Sequence, residues 1–461
     1  MENESDKNQP SLPQENKLPN FIKNSINFKI LSIAILILIL IIPSQMIMGL
    51  IRERENRKQT AVSEVTSKWG RMQTIGGPII SIPYKEIWKT EKGEIKTSTE
   101  YSHFLPEVLD INGNIETEIR YRGIYKVVLY NTKLKINGKF KFPKIETLNI
   151  IKENILWKDA VISLGISDML GIKDIIEVNW EQKKYGFEPG LKYQCVFDSG
   201  VSIKIPINKD FFENKDYPFS LNVDLNGSEE LNFLPFGKKT TVLLTSKWND
   251  PSFTGGFLPA QRTINNEGFT ANWKVLDLNR NYSQQWVGNI DKQYINNSKF
   301  GVNLFLAVDE YTQTTRSIKY IIMFVALTFL VFFFVEILNK KRIHPIQYIL
   351  VGLALCLFYL LLLSISEQMS FDFAYLIASI SIILLITFYT RSFLGRNYLA
   401  ILTGIILTIL YLFLYVLLAN QDYSLLLGSI GLFIILAIVM YLSRNLDWYS
   451  IDLIKEKAGK K

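Results

Sequence analysis

The stretch ILSIAILILILIIPSQMIMGL, residues 30–50, decides the fold of this chain. It is apolar along its length, and at 1.5 Å per residue it is long enough as a helix to cross a hydrocarbon core about 30 Å thick. Five further apolar stretches crowd the last third of the chain, at residues 318–338, 347–366, 373–389, 398–419 and 423–442. The sequence therefore predicts six transmembrane helices, with a large polar segment between the first and the second.

The composition agrees with a membrane protein. Of 461 residues, 48% are apolar and 20% charged, which excludes a disordered chain and disfavours an ordinary soluble enzyme. Much of the net charge of +8 comes from Lys and Arg beside the apolar stretches, so we attribute it to topology and headgroup contact rather than nucleic-acid binding. Cys195 and Cys356 fall in different segments, which excludes a disulfide framework and a Cys/His zinc site. No cofactor is expected.

The first apolar stretch is interpreted as an uncleaved anchor. It lacks the small-x-small site of a signal peptide, and apolar residues continue beyond Pro43. The expected organisation has five parts: a cytoplasmic tail (1–29), an anchor helix (30–50), a periplasmic β-rich domain (51–316), a five-helix transmembrane bundle (317–442) and a second cytoplasmic tail (443–461).

Loop charge predicts the orientation. Lys and Arg occupy the loops after the second and fourth apolar stretches and the C-terminal tail. The charged residues in the loops after the third and fifth stretches are all acidic. Because positive loops stay in the cytoplasm, both termini are expected there and residues 51–316 in the periplasm. The basic cluster Arg52, Arg54, Arg57 and Lys58 opposes this assignment, but Glu53 and Glu55 dilute it.

The segment after the anchor is expected to begin with a helix, residues 51–70, and to continue as strands. Apolar and polar residues alternate on both sides of three turn-like sequences, which predict hairpins: Asn137-Gly138, Asp198-Ser199-Gly200 and Asn226-Gly227-Ser228. Strands at this spacing indicate an antiparallel sandwich or a pair of them.

One four-residue sequence occurs twice. Thr-Ser-Lys-Trp ends at Trp69 and again at Trp248, and a Gly-Gly pair follows each copy. Either a duplicated half-domain or convergence on one loop, with a buried Trp closing over the Gly-Gly backbone, would explain the match.

The sequence contains no pattern that isolates a catalytic site. It has no Gly-x-Ser-x-Gly, no Ser-x-x-Lys and no P-loop. A packing or surface role is expected for His103, and a turn role for Asp168. The chain is therefore predicted not to be an enzyme.

Three polar residues of the bundle are candidates for a functional role. Glu336 lies inside the second apolar stretch, where it either pairs with Lys340 or forms part of a proton or ion path. His344, followed by Pro345, is expected to begin the third helix. Glu367 ends that helix and is expected to contact the domain or lipid headgroups.

Several stretches of the sequence match one known family: Ala61-Val62-Ser63-Glu64-Val65, Trp69-Gly70, Arg122-Gly123-Ile124-Tyr125, Trp248, Phe257-Leu258-Pro259, Arg316, Glu336, His344-Pro345-Ile346-Gln347-Tyr348 and Ser366-Glu367. Through these residues the chain resembles the CreD inner-membrane proteins, also called cell envelope integrity proteins, from about Phe28 to Trp448. The resemblance implies a bacterial inner-membrane protein of the envelope stress response that affects colicin tolerance, β-lactam susceptibility and cell shape. The family offers no established catalytic residues. One departure is Gln368, where many members have His.

Three hypotheses remain open. In the first, a non-enzymatic protein for cell envelope integrity binds an envelope protein or a peptidoglycan-related partner. In the second, a membrane sensor or transporter component uses Glu336 and the basic loop that follows it. In the third, an enzyme acts on envelope lipid or glycan. The lipid bilayer is an expected partner in all three, and the oligomeric state stays open.

Overall fold

The computed structural model describes residues 26–141, 145–194, 196–207, 216–304, 310–339, 341–420 and 423–444. It divides into two compact units. The helical unit comprises Met1–Asn56 with Asp309–Lys461, and the β unit comprises Arg57–Val308. Cys195, Lys340 and most of both predicted tails lie outside the described residues.

Six helices of the described residues are long and apolar enough to cross a membrane. They are α1 (Ile26–Trp69), α4 (Ile321–Leu338), α5 (Pro345–Ser366), α6 (Phe371–Leu394), α7 (Asn397–Ala419) and α8 (Ser424–Ser443). Two shorter helices are α2 (Lys292–Asn297) and α3 (Glu310–Lys319). The prediction of six apolar helices is confirmed, and the helix expected at residues 51–70 is the continuation of α1.

Small residues let these helices approach one another closely. A Cβ atom added at Gly352 of α5 would lie 2.2 Å from a methyl carbon of Leu40 on α1. Such close approach is typical of helix packing in membranes, where dispersion contacts replace the hydrophobic effect as the force between helices. At the end of α6, Gly395 takes a φ of 66°, which permits the left-handed conformation that terminates a helix.

The β unit contains two sheets that share one hydrophobic core. The nine-stranded sheet consists of β1 (Gln73–Lys89), β2 (Ile95–Phe104), β5 (Val161–Ile166), β8 (Glu188–Pro189), β9 (Gly200–Lys204), β11 (Glu230–Phe233), β13 (Pro251–Gly255), β16 (Gln285–Val287) and β17 (Phe300–Leu304). The eight-stranded sheet consists of β3 (Val108–Arg122), β4 (Tyr125–Lys141), β6 (Glu177–Trp180), β7 (Lys183–Gly186), β10 (Asp216–Ser228), β12 (Lys239–Ser246), β14 (Gln261–Asn265) and β15 (Gly268–Leu276).

The strand order corrects the expectation of purely antiparallel sheets. The nine-stranded sheet runs β13-β17-β11-β1-β5-β9-β8, with β2 joining β1 to β16, and the other runs β14-β15-β12-β3-β4-β10-β6-β7. Two pairs are parallel, β1 with β11 and β3 with β12. Strands such as β10 bury every second side chain, because successive side chains point to opposite faces of a sheet.

Two of the predicted turns lie inside strands. Asn137 and Gly138 pair with β3 on one side and with β10 on the other. A Cβ atom at Gly138 would lie 2.3 Å from the carbonyl oxygen of Val108, so this glycine permits close approach rather than a turn. The hairpin is instead closed by Gly123, whose φ is 61°.

The second turn sequence that lies inside a strand is Asn226-Gly227-Ser228, and the third, Asp198-Ser199-Gly200, borders a strand on one side only. The segment Asn226-Gly227-Ser228 also pairs as strand, and the chain turns at Glu229, whose φ is 59°. Gly200 begins β9, but the described residues 196–199 before it form no strand. The turn predicted at Asn137-Gly138 is therefore wrong, whereas the chain does turn directly after Asn226-Gly227-Ser228.

The repeated sequence Thr-Ser-Lys-Trp has two different structures. Its first copy ends helix α1, whereas the second begins in the last residues of β12. Gly76 packs against Phe197 and Leu234, and Trp69 lies against Arg120. The two copies therefore share residues but not a conformation, and neither the duplication nor the shared-loop prediction is supported.

Candidate functional site

Glu336 lies in a buried ion pair at the end of α4. Its side chain is 3% exposed, and its Oε2 atom lies 3.1 Å from Nζ of Lys29 on α1. The hydroxyl of Tyr348 on α5 donates to the same oxygen at 3.1 Å. Lys29 also lies 4.9 Å from the centre of the Tyr348 ring and donates to the carbonyl oxygen of Ile343.

The structure gives Glu336 a partner that the sequence analysis did not name. An ion pair was predicted, but with Lys340, which lies outside the described residues; the partner that the structure shows is Lys29. A buried carboxylate is costly unless a charge and hydrogen bonds compensate it, and both are present here. Glu336 therefore connects α1, α4 and α5.

Glu367 occupies a second cluster, at the opposite end of α5. Tyr311 of α3 donates to its Oε1 atom at 2.8 Å, and Nη1 of Arg54 on α1 lies 3.8 Å from its Oε2 atom. The side chain of Glu367 is 11% exposed and that of Arg54 is 43% exposed. The contacts that the structure describes for Glu367 are thus to other helices of its own unit.

Helix α1 supplies the cation to both clusters. Lys29 and Arg54 are 25 residues apart, which corresponds to about 37 Å along a helix. This length exceeds the hydrocarbon thickness of about 30 Å, so the two pairs suit the two membrane surfaces. The sequence missed this arrangement because nothing in the spacing of Glu336 and Glu367 points to residues near the N-terminus.

Two further residues, His344 and Arg316, lie outside these two ion clusters. His344 caps α5: its Nδ1 accepts from the backbone N–H of Ile346 at 3.3 Å, and its own N–H donates to Gln347 at 2.9 Å. The predicted role at the start of the third span is therefore confirmed. Arg316 is half-buried on α3, and no ion pair or hydrogen bond of its side chain occurs among the described residues.

In the β unit, Arg122 and Trp69 belong to one surface cluster. Arg122 donates to both carboxylate oxygens of Glu64, at 3.1 and 2.9 Å. The guanidinium of Arg120 lies 4.2 Å from the centre of the Trp69 ring, and Trp69 Nε1 donates to the carbonyl oxygen of Tyr130 at 3.3 Å. The end of α1 is thereby held against the β3–β4 hairpin.

Two shallow grooves flank the Glu64–Arg122 pair. One, of about 460 Å³, is lined by residues from Arg57 to Glu64 and by Arg122, Gly123 and Tyr125. The other, of about 300 Å³, lies between Trp69 and residues 120–122. Both are open to solvent, so they offer a surface for docking rather than an enclosed site for a small molecule.

Trp248 has different surroundings. Its indole N–H donates to the carbonyl oxygen of Asp250 at 3.1 Å, and its side chain is half-buried against the core. A groove of about 280 Å³ lies near Thr245–Lys247, but Trp248 does not line it. Trp248 therefore packs against the core of the β unit rather than lining this groove.

A buried pair that the sequence did not indicate joins Ser81 and His103. The Ser81 hydroxyl lies 2.8 Å from Nδ1 of His103, and the imidazole stacks on Trp286 with the ring centres 5.2 Å apart. Burial lowers the pKa of His103 to about 4. Because both side chains are at most 3% exposed, substrate cannot reach them, and the expected packing role of His103 is the one that the structure supports.

Among the described residues, no group of three or more His, Cys, Asp or Glu side chains could hold a metal ion. Asp168 caps the short turn that begins at Met169, accepting from the backbone N–H of Leu170 at 3.1 Å, as a turn residue should. The candidate site therefore consists of two interhelical ion clusters and one exposed surface cluster.

Comparison with known proteins identifies the family. The family model described as Inner membrane protein CreD matches residues 25–449. The Inner membrane protein CreD of Escherichia coli (strain K12) is 32% identical over 442 residues, which cover 95% of this chain and 97% of that protein. The chain therefore belongs to the CreD family and is a multi-pass inner membrane protein.

Proposed function

We propose that this protein maintains cell envelope integrity without catalysis, and that its helical unit anchors the β unit on the periplasmic face of the inner membrane. The observation that carries the proposal is the double attachment of α1. Glu336 and Glu367 each hold a cation of that helix and a tyrosine hydroxyl. Such pairs stabilise a fixed arrangement of helices, as an anchor requires.

The β unit supplies the surface for an envelope partner, either a protein or a peptidoglycan-related molecule. The open groove of about 280 Å³ beside Lys247, Glu267 and Phe269 combines charged side chains with an aromatic ring, a composition typical of docking surfaces. The loop charges support a periplasmic location of the β unit. Lys341 and Arg342 precede the N-terminus of α5, whereas Asp372, in the first turn of α6, follows the C-terminus of α5.

A charge swap separates the anchor from a transporter or sensor that uses the Glu336 carboxylate. In an anchor, Lys29→Glu combined with Glu336→Lys should retain protection against β-lactam stress, because the ion pair is preserved in reverse. Glu336→Gln should lose protection only to the extent that less protein accumulates. Protein amount is measured by immunoblot beside survival.

Loss of protection in both variants at normal protein levels would favour the transporter or sensor instead. The orientation is tested separately with an impermeant thiol reagent on intact spheroplasts. Cysteine at the exposed position Leu278 should react, and cysteine at Lys341 should react only after the membrane is opened. The reverse pattern would exclude a periplasmic β unit.

The absence of catalysis also has a direct test. Purified full-length protein, incubated with peptidoglycan fragments or with phospholipid vesicles, should leave both substrates chemically unchanged by mass spectrometry. Cleavage or modification of either substrate would replace the proposal with an enzyme.

A further inference from the structure

The tip of the β3–β4 hairpin, residues 119–126, exposes apolar side chains that the fold of the β unit does not cover. Along β3, buried and exposed residues alternate up to Ile115, and the last five residues are exposed on both faces. Ile119 is 41% exposed, Tyr121 65% and Ile124 40%. A hairpin tip in water on both sides is expected to be polar, so these side chains indicate a contact.

The hairpin runs back along α1 towards the membrane-spanning part of that helix. Arg120 contacts Trp69, the last residue of α1, whereas Arg122 pairs with Glu64, five residues earlier. Gly123, at the turn, shares a groove with Arg57. As the strand advances towards its tip, its neighbours on α1 therefore come progressively closer to the apolar stretch.

Chain length confines this tip near the bilayer. Only six residue steps separate Arg57 from Ile51, the apolar residue that directly follows the stretch 30–50. Six steps span at most about 20 Å when extended, and about 9 Å as a helix. Since the headgroup layer is itself about 5–8 Å thick, the groove that holds Arg57 and Gly123 lies within a short distance of that layer.

The residues at the tip have the chemistry of a membrane interface. Tyr121 combines an apolar ring with a hydroxyl, and Ile119 and Ile124 add apolar surface. Arg122 and Lys126 are exposed cations beside them. Aromatic residues and Lys or Arg are enriched where proteins meet lipid headgroups, because phosphates attract the cations and the rings suit the boundary.

We propose that residues 119–126 form a lipid-binding tip that rests on the phospholipid headgroups next to α1. The chemistry favours a surface of phosphate groups with apolar chains beneath it, and anionic phospholipid strengthens the contact. The inference rests on the proposed function only in requiring that α1 crosses the bilayer, so it holds whichever side the β unit occupies.

The test places a fluorescent label at the tip of the full-length protein in nanodiscs. In a background with Cys195→Ser and Cys356→Ala, cysteine replaces Tyr121 or Ile124 and carries a bimane group. The control is Leu278→Cys, at a position where Leu278 is 88% exposed. Leu278 follows the end of β15, where Leu276 pairs with Lys239 of β12, and Lys239 in turn pairs with Val108 at the start of β3. Strand β3 spans about 46 Å from Val108 to Arg122 at about 3.3 Å per residue, so the control position lies at the far end of the sheet from the tip.

The nanodiscs contain phosphatidylcholine and phosphatidylglycerol, with or without a lipid that carries a nitroxide on its headgroup. Nitroxide lipid should quench the labels at residues 121 and 124 severalfold more than the label at 278, and aqueous iodide should quench them less. Equal nitroxide quenching at all three positions with full access to iodide would overturn the proposal, because the tip would then be free in water.

Protection from both quenchers would overturn it as well, since protein rather than lipid would cover the tip. In the Glu336→Gln variant, quenching at the tip should equal that of the parent protein, because α1 still crosses the bilayer. Survival under β-lactam stress tests the anchor proposal, whereas quenching tests the lipid-binding tip. The two proposals can therefore fail independently.

Discussion

The two units keep buried titratable groups in different ways. In the helical unit, Glu336 is paired with the ammonium of Lys29 and accepts a hydroxyl from Tyr348. In the β unit, His103 has the Ser81 hydroxyl and the Trp286 ring beside it, and burial lowers its pKa to about 4. The first unit compensates a charge, whereas the second excludes one.

The difference teaches which change should damage each unit. Removal of one ion from a buried pair leaves the other uncompensated, so the helical unit should be sensitive to single substitutions. A buried neutral imidazole costs nothing until the solution supplies a proton, so the β unit should be sensitive to acid. The following experiments are arranged from the largest expected effect to the smallest.

Lys29→Met should have the largest effect. It leaves the buried carboxylate of Glu336 with a hydroxyl but no cation, and loss of one partner of a buried pair costs about 3–5 kcal/mol. We expect reduced accumulation in membranes and a lower unfolding temperature in detergent. The double variant Lys29→Met with Glu336→Gln removes both charges and should recover most of the loss. A single variant as stable as the parent would show that the pair is not needed.

Acid should weaken the β unit through His103. The pKa of this imidazole is lowered from 6.5 to about 4 on folding. Between these values the unfolded chain binds a proton that the folded chain does not, so stability falls as the pH drops from 6.5 to 4. A shift of this size corresponds to about 3 kcal/mol.

The measurement is denaturant unfolding of the full chain, followed by tryptophan fluorescence, since seven of the eight Trp residues belong to the β unit. His103→Gln keeps a polar group beside Ser81 but cannot titrate, and its stability should be less dependent on pH in this window. An identical fall in both proteins would contradict the assignment to His103.

Arg54→Gln should have the smallest effect. The Arg54 side chain is 43% exposed, its Nη1 atom lies 3.8 Å from Glu367, and partly exposed pairs of this kind contribute about 0–1 kcal/mol. Glu367 also keeps the hydroxyl of Tyr311. The unfolding temperature in detergent should therefore change little. A loss as large as that of Lys29→Met would show that the Arg54–Glu367 pair stabilises the protein as much as the Lys29–Glu336 pair does.

The membrane helices could be predicted from the sequence because length and apolar content are local properties. Residues 398–419 were expected as one span, and α7 runs from Asn397 to Ala419. The capping role of His344 was equally accessible, since it depends on Pro345 and Gln347 close by. In these regions the physical cause and the sequence pattern occupy the same few residues.

The remaining features depend on residues distant in sequence. Gly138 resembled a turn residue, but its neighbours on β3 and β10 make it a point of close packing. Glu336 had an acceptable partner four residues away, whereas the structure pairs it with Lys29. Register and tertiary pairing decide both cases, and a single sequence does not encode them at short range.

The Lys29–Glu336 pair also has a consequence for biosynthesis. Glu336 follows Lys29 by 307 residues in the chain, so at about 5–20 residues per second the ribosome needs about 15–60 seconds to supply the carboxylate. During that time α1 must remain in the bilayer with its lysine directed to the aqueous boundary, which its position near the helix start permits. A nascent chain released before residue 336 would lack this partner, and its Lys29 would have to stay at the aqueous boundary.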